Sequence, residues 1–209
     1  MNRQMRQTRI FWVRDQKKTL AALAILAVHL LWAPQTFADP YGDPPMKREG
    51  FAVGAAIGPG IFKGAAGMDE LQGVGGDLDL RVATTATENL LWTIEIVAGG
   101  YLVEVTDAGG MDQTYNALST LTFGGQYYIR EALWVRGGVG FATFLEREGR
   151  GGEVDQDSQK SGVGFMSGGG YDFIRRGRFA LSGEVASTLG AFRDGLLGHT
   201  SVLLGLAWY

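Results

Sequence analysis

From residue 50 onward, apolar and polar or small side chains alternate along the chain with a period of two. A strand turns successive side chains to opposite faces, so this period marks strands whose two sides meet different surroundings. Eight segments carry it. "GFAVGAAIG" sets Phe51, Val53, Ala55 and Ile57 against Gly50, Ala52, Gly54 and Ala56. "DLDLRV" sets Leu78, Leu80 and Val82 against Asp77, Asp79 and Arg81, in a strand running to about Thr85. "LWTIEIVAGGYLV" opposes Trp92, Ile94 and Ile96 to Thr93, Glu95, Gly99 and Tyr101. "ALSTLTFGGQYYI" opposes Leu121, Phe123, Tyr127 and Ile129 to Thr120, Thr122, Gln126 and Tyr128. In "LWVRGGVGFATFL", Leu133, Val135, Val139 and Phe141 face away from Arg136, Gly138, Gly140 and Ala142. In "GVGFMSGGGYDF", Val163, Phe165, Tyr171 and Phe173 face away from Gly162, Gly164, Gly168 and Asp172. "FALSGEVAS" separates Phe179, Leu181 and Val185 from Ala180, Ser182 and Glu184. The last segment, "HTSVLLGLAWY", has Val202, Leu204, Leu206 and Trp208 in one row and Gly205, Ala207 and Tyr209 in the other.

The connections alternate in length. "IFKGAAGMDELQG", "TDAGGMDQTYN", "EREGRGGEVDQDSQK" and "LGAFRDGLLG" are long, whereas "ATTATEN", "RE" and "IRRGR" are short. An up-and-down sheet then gathers its long loops at one end and its tight turns at the other. The predicted fold is all-β, an eight-stranded antiparallel up-and-down barrel. A soluble barrel puts bulky apolar groups inside; a transmembrane barrel puts them on lipid and lines its interior with small and polar groups. Here the non-bulky face is Gly, Ala, Ser and Thr with a few charges, which would give a soluble barrel no hydrophobic core. The pattern therefore predicts a transmembrane barrel. Asp77, Asp79, Arg81, Glu95, Arg136, Asp172 and Glu184 fall on the inner face by parity, with both signs available to pair. Unpaired and away from water they would be costly.

The start of the chain is different. Arg3, Arg6, Arg9, Arg14, Lys17 and Lys18 precede the apolar run "TLAALAILAVHLLWA", and "TFA" at 36–38 supplies small residues at a cleavage position. Basic, apolar, small is the order of a secretory signal peptide. The predicted organisation is a cleavable signal peptide over 1–38, a Pro-rich periplasmic lead-in over 39–49, and the barrel over 50–209.

Charge and composition narrow the function. After residue 38 the chain holds 13 basic and 21 acidic residues, which argues against nucleic acid as a partner. There is no cysteine, hence no disulfide framework and no thiolate metal site. Glycine, 33 of 209 residues, has no period of three and reads as barrel lining, not as nucleotide-binding loops.

The pattern, the loop rhythm and the aromatic chain end "GLAWY" resemble the small eight-stranded outer-membrane barrels of the OmpA, OmpX and OmpW sort, over about residues 50–209. That resemblance implies the outer membrane of a Gram-negative envelope and contact with outer-membrane lipid and lipopolysaccharide. It also implies insertion by the barrel-assembly machinery, which recognises a terminal aromatic in many such barrels; Trp208 and Tyr209 stand where that signal belongs. Tyr209 departs from the family habit, because it falls on the inner row rather than the lipid-facing one.

Candidate chemistry is sparse. His199 is the only histidine after residue 38, so a multi-histidine metal site is excluded. Asp155 and Asp157 lack the glycine and terminal glutamate of a calcium loop. His199 and Ser201 share a face, as a base and a nucleophile must, and look like the His-x-Ser pair of the lipid A 3-O-deacylases. The Asn and the later acid of those enzymes are missing after Ser201, and the pair points inward. Glu184 on the neighbouring strand is the candidate to orient His199. The expectation is a non-enzymatic, cofactor-free, monomeric barrel with an envelope-structural or surface-interaction role. A narrow pore or conduit for small hydrophobic molecules, and a deacylase-like enzyme using His199 and Ser201, are the alternatives.

Overall fold

The β-rich pattern closes on itself. The computed structural model describes Arg48 and residues 50–107, 110–150 and 153–209, with side chains outside 104–112 and 148–157. The predicted signal peptide and, apart from Arg48 and Gly50, the chain before the first strand lie outside the described residues. Eight strands follow in order: β1 (Phe51–Ala65), β2 (Gln72–Thr87), β3 (Leu90–Asp107), β4 (Gly110–Tyr128), β5 (Leu133–Arg150), β6 (Glu153–Arg176), β7 (Phe179–Phe192) and β8 (Gly195–Trp208). Each pairs antiparallel with its neighbour, and β1 pairs with β8 to close the barrel. Closure leaves no edge within the wall, which a membrane demands of any sheet that crosses it.

The two faces separate as the alternation requires. Phe51, Ile57, Ile94, Phe123, Phe141 and Leu204 are among many large apolar side chains exposed on the outer wall. Such a continuous apolar exterior is unstable in water and stable in lipid. Near the end where the short turns and both described chain ends lie, Trp92 stacks on Phe123 with ring centroids 5.7 Å apart. Phe51, Tyr127 and Trp208 are exposed there too, in the manner of an interfacial aromatic girdle. That end is the periplasmic one.

The expected long loops are the main correction. Strand pairing runs almost to every hairpin tip, with Asp107 opposite Gly110 and Arg150 opposite Glu153. Only the connection from Ala66 to Leu71 approaches the length expected. The physical reason is that alternation reports only where one face is apolar. Beyond the membrane both faces of a hairpin meet water, so the alternation fades although the backbone ladder continues. β1 likewise continues through Pro59, whose exposed ring faces outward; its neighbour Gly58 marks a break in the pairing with β8, which resumes in the same register at Gly60. A Pro is tolerated there because it has no N–H to donate to a ladder.

Glycines on the inner face make room for larger groups. A Cβ at Gly205 would collide with the Glu184 carboxylate, and one at Gly54 would lie 2.7 Å from Arg81 Nε. Sequence position thus determines where charged side chains can lie flat across a neighbouring strand.

Candidate functional site: a sealed charged lumen and an open sheet edge

All seven charged residues assigned to the inner face by parity are buried inside the barrel. Strand register brings them together. Arg81 on β2 lies opposite Glu95 on β3, while Arg136 reaches in from β5 and Glu184 from β7. Arg136 is the hub. Its Nη2 is 2.6 Å from Asp79 Oδ2 and 3.1 Å from Glu184 Oε2, and its Nη1 is 2.6 Å from Glu95 Oε1. These are close ion pairs whose N–H directions miss the ideal line to oxygen. Arg81 is better aligned. It grips both oxygens of Glu184, with Nη1 donating to Oε2 at 3.0 Å, and Ser182 Oγ donates to the same carboxylate at 2.6 Å. Trp134 lies beside both guanidinium groups, with its ring centroid 5.2 Å from Arg81 and 5.3 Å from Arg136. Its indole N–H donates to Asp172 Oδ1 at 2.9 Å, which accounts for the sixth of the seven; the seventh, Asp77, pairs instead with His199.

Two further layers close the lumen. On the periplasmic side Leu91, Tyr128, Trp134 and Tyr209 pack together. Tyr128 and Tyr209 share a hydroxyl–hydroxyl hydrogen bond, and the Arg48 guanidinium stacks 3.4 Å over the Tyr128 ring. On the extracellular side Phe62, Met68, Tyr101, Leu118, Phe144, Phe192 and Leu197 form an apolar plug. Eight strands enclose only enough space for side chains, and these side chains fill it.

The chain end follows its parity. Trp208 is exposed on the outer wall, and Tyr209 is turned inward and buried. Arg48, Trp134 and Phe62 carry much of this arrangement and were not singled out in the sequence. Parity places Trp134 and Phe62 on the inner face; nothing in the sequence foretells the stacking of Arg48 on Tyr128.

His199 and Ser201 are inside as expected, but Glu184 does not orient the histidine. Register sets Glu184 opposite Leu203 and sets His199 opposite Thr188. The acid beside His199 is Asp77, with Nε2 to Oδ2 at 2.8 Å, and Phe62 packs on the imidazole at 5.0 Å between centroids. Ser201 Oγ donates to the Ala186 carbonyl at 3.5 Å instead of to His199. Both side chains lie beneath the plug, so the pair is arranged as buried polar structure and lacks the nucleophile–base hydrogen bond that catalysis requires. Asp155 and Asp157 lie outside the residues whose side chains are described. Among the described residues no group of three or more acids and histidines is arranged to hold a metal ion.

Above the plug the wall is uneven. β2 pairs with β3 only as far as Gly76 and Gly100, yet β3 runs on to Asp107. β6 similarly begins at Glu153, whereas its pairing with β7 begins at Val163. The upper parts of β3, β4, β5 and β6 therefore form a four-stranded sheet beyond the closed barrel, with two free edges among the described residues. The β3 edge starts seven residues before the tip of its strand, roughly 20 Å of backbone without a ladder partner from β2 at about 3.3 Å per residue.

No known sequence family matches the chain, and no curated protein matches it in sequence. Solved structures do. The chain is similar to Ail, the attachment invasion locus protein of Yersinia pestis, in its complex with the heparin analogue sucrose octasulfate. Identity is 12%, the match covers 77% of this chain and 99% of that one, and the TM-score is 0.57. Neisserial surface protein A matches at 11% identity over 77% of this chain and 97% of its own, with a TM-score of 0.47. OprG of Pseudomonas aeruginosa matches at 14% identity over 80% of this chain and 100% of its own, with a TM-score of 0.44. The chain has the fold of the small eight-stranded outer-membrane barrels, and its apolar exterior places it in the outer membrane.

Proposed function

We propose that this protein is a non-enzymatic surface-interaction barrel that presents its protruding sheet outside the cell and docks extended peptide on the β3 edge. One observation carries the reading: the ladder of β3 continues over 101–107 with no partner on the side away from β4 among the described residues. Unpaired backbone N–H and C=O groups in a row are a template for an added strand. The two free edges differ in sequence. "EVDQDSQK" on β6 is dense in charge and amide, the usual protection of an edge, whereas "YLVEVTD" on β3 is mostly apolar and β-branched. Leu102 and Val103 are exposed. Glu104 and Asp107 favour a partner segment with Lys or Arg interspersed. Lipid and lipopolysaccharide would surround the wall below, and the barrel-assembly machinery would have placed it there.

The test uses the refolded protein in lipid nanodiscs and an extended peptide alternating valine and lysine. Binding is expected to protect the amides of residues 101–107 from hydrogen exchange and to be lost in the Leu102→Lys, Val103→Lys double variant. Protection on β6 or on the wall, or no binding at all, would reject the edge as the docking site. In that case an envelope-structural role is the better account.

A second reading, a site for a small hydrophobic molecule, has one observation in its favour. A groove of about 400 Å³ opens on the outer wall where β2 and β3 part, lined by Ile57, Gly76, Leu78, Ala98, Gly100 and Tyr115 among others. The filled lumen opposes a conduit through the barrel.

A further inference from the structure

The periplasmic rim is basic on one side only. The turn between β4 and β5 carries Arg130 and Glu131, and the end of β6 with the turn after it carries Arg175, Arg176 and Arg178. These two segments lie against each other. Asp172 donates its N–H to the Ala132 carbonyl at 2.9 Å, and Arg175 Nη1 pairs with Glu131 Oε2 at 3.3 Å. That pair uses the one acidic side chain of the two turns. Arg48 also reaches this arc, but its guanidinium is taken up by the Tyr128 ring and the Glu131 carbonyl. Arg130, Arg176 and Arg178 are exposed and have no ion pair among the described residues. Even with a terminal carboxylate on Tyr209, whose N–H donates to the Arg178 carbonyl at 2.8 Å, cations outnumber anions on the arc. Across the mouth, the turn between β2 and β3 carries Glu88 and no cation. Register fixes the level of the arginines. Arg176 lies opposite Phe179 on β7, and Phe179 lies opposite Trp208 on β8. Cross-strand partners share a face, so Arg176 stands on the outer wall in the row of the exposed Trp208. An aromatic girdle marks the interfacial level of the bilayer. Beside the arginines, Ile129 and Ile174 are exposed.

We propose that this arc docks an anionic phospholipid of the periplasmic leaflet, with its phosphate shared among Arg130, Arg176 and Arg178 and its acyl chains along Ile129 and Ile174. The wall as a whole touches lipid; this arc alone selects by charge. All four cations on the two turns are arginines, whose planar fork offers a phosphate two parallel N–H groups. Like charges gathered in a short arc repel one another, and an anion placed among them turns that repulsion into attraction. A ligand with both a phosphate and an apolar tail suits the position of Arg176, on the lipid-facing wall and beside exposed isoleucines. A carboxylate of the cell wall would approach from below, where the apolar part of the surface has nothing to meet.

Native mass spectrometry of the refolded protein, in detergent with equal amounts of phosphatidylglycerol and phosphatidylcholine, tests this. One cation close to an anionic lipid surface contributes about fivefold in affinity, so the parent should retain phosphatidylglycerol over phosphatidylcholine by more than about tenfold. Arg176→Gln should lower that preference about fivefold. The triple variant Arg130→Gln, Arg176→Gln, Arg178→Gln should abolish it, and Glu88→Gln on the opposite turn should leave it as it is. All of these side chains are exposed, and the gel shift on boiling verifies that each variant is folded. A parent without the preference, or a triple variant that keeps it, would overturn the proposal. Sedimentation with purified peptidoglycan supplies the other arm. If the parent sediments with it, the triple variant does not, and neither prefers phosphatidylglycerol, the arc belongs to the cell wall and the lipid assignment falls.

Discussion

Arg136 shows how much rests on one side chain. Its guanidinium meets carboxylates from β2, β3 and β7, so it ties strands that are not neighbours in the sheet. Replacing it with Met keeps the stem and removes the charge, leaving acids without a counter-ion in a closed space. Breaking a buried pair from one side costs about 3–5 kcal/mol, and we expect an unfolding free energy in bilayers lower by that order for Arg136→Met. Leu80 tests the other face. It is exposed on the outer wall between Leu78 and Val82. Arg at that position should cost about 2–4 kcal/mol if residue 80 lies near the bilayer midplane. The penalty should shrink in thinner bilayers that bring it towards the interface. A Leu80→Arg protein as stable as the parent in thick bilayers would contradict the assignment of the lipid face. Parity alone was enough to assign both residues to a face, because a strand has only two faces. Parity could not pair Arg136 with Asp79, since that contact crosses the lumen and is decided by register and shear.

At the scale of the element, the strands were legible where lipid lies on one side and illegible where water lies on both. The segment "TDAGGMDQTYN" reads as loop, yet Thr106, Asp107 and Gly110 to Asn116 belong to β3 and β4. Hydrogen-bonded backbone in a hairpin needs no apolar face to continue. Its stability comes from the ladder that begins in the membrane, and this separates the protruding sheet from barrel closure. Shortening β3–β4 and β5–β6 together to the level of Gly100 and Gly162 should leave the barrel folded, with the gel shift between unheated and boiled samples retained. Loss of that shift would mean that the projecting strands help to close the barrel. Gly205 makes the opposite case, an element position with no freedom. Gly205→Val on β8 would drive the Glu184 carboxylate from its place and should lower the unfolding midpoint by more than Gly198→Val. At Gly198 an added Cβ meets its nearest atom at 3.4 Å.

At the scale of the whole molecule, three stacked layers close the lumen: an aromatic layer at the periplasmic end, the charged cluster, and the apolar plug. Refolded protein in planar bilayers should therefore show no steady conductance, and discrete channels would mean that one layer moves aside. By itself the sequence determined the class of fold, the number of strands, their membrane-facing side and the inward placement of the charged residues. These follow from a two-residue period and a boundary between lipid and side-chain-filled interior, both of which are local. The tertiary structure alone decided which acid faces His199, that Glu184 serves arginines instead, and that β3 outruns β2. Each of those is a contact or a mismatch between segments far apart in the chain, and it is the closing of eight strands in one particular register that brings them together.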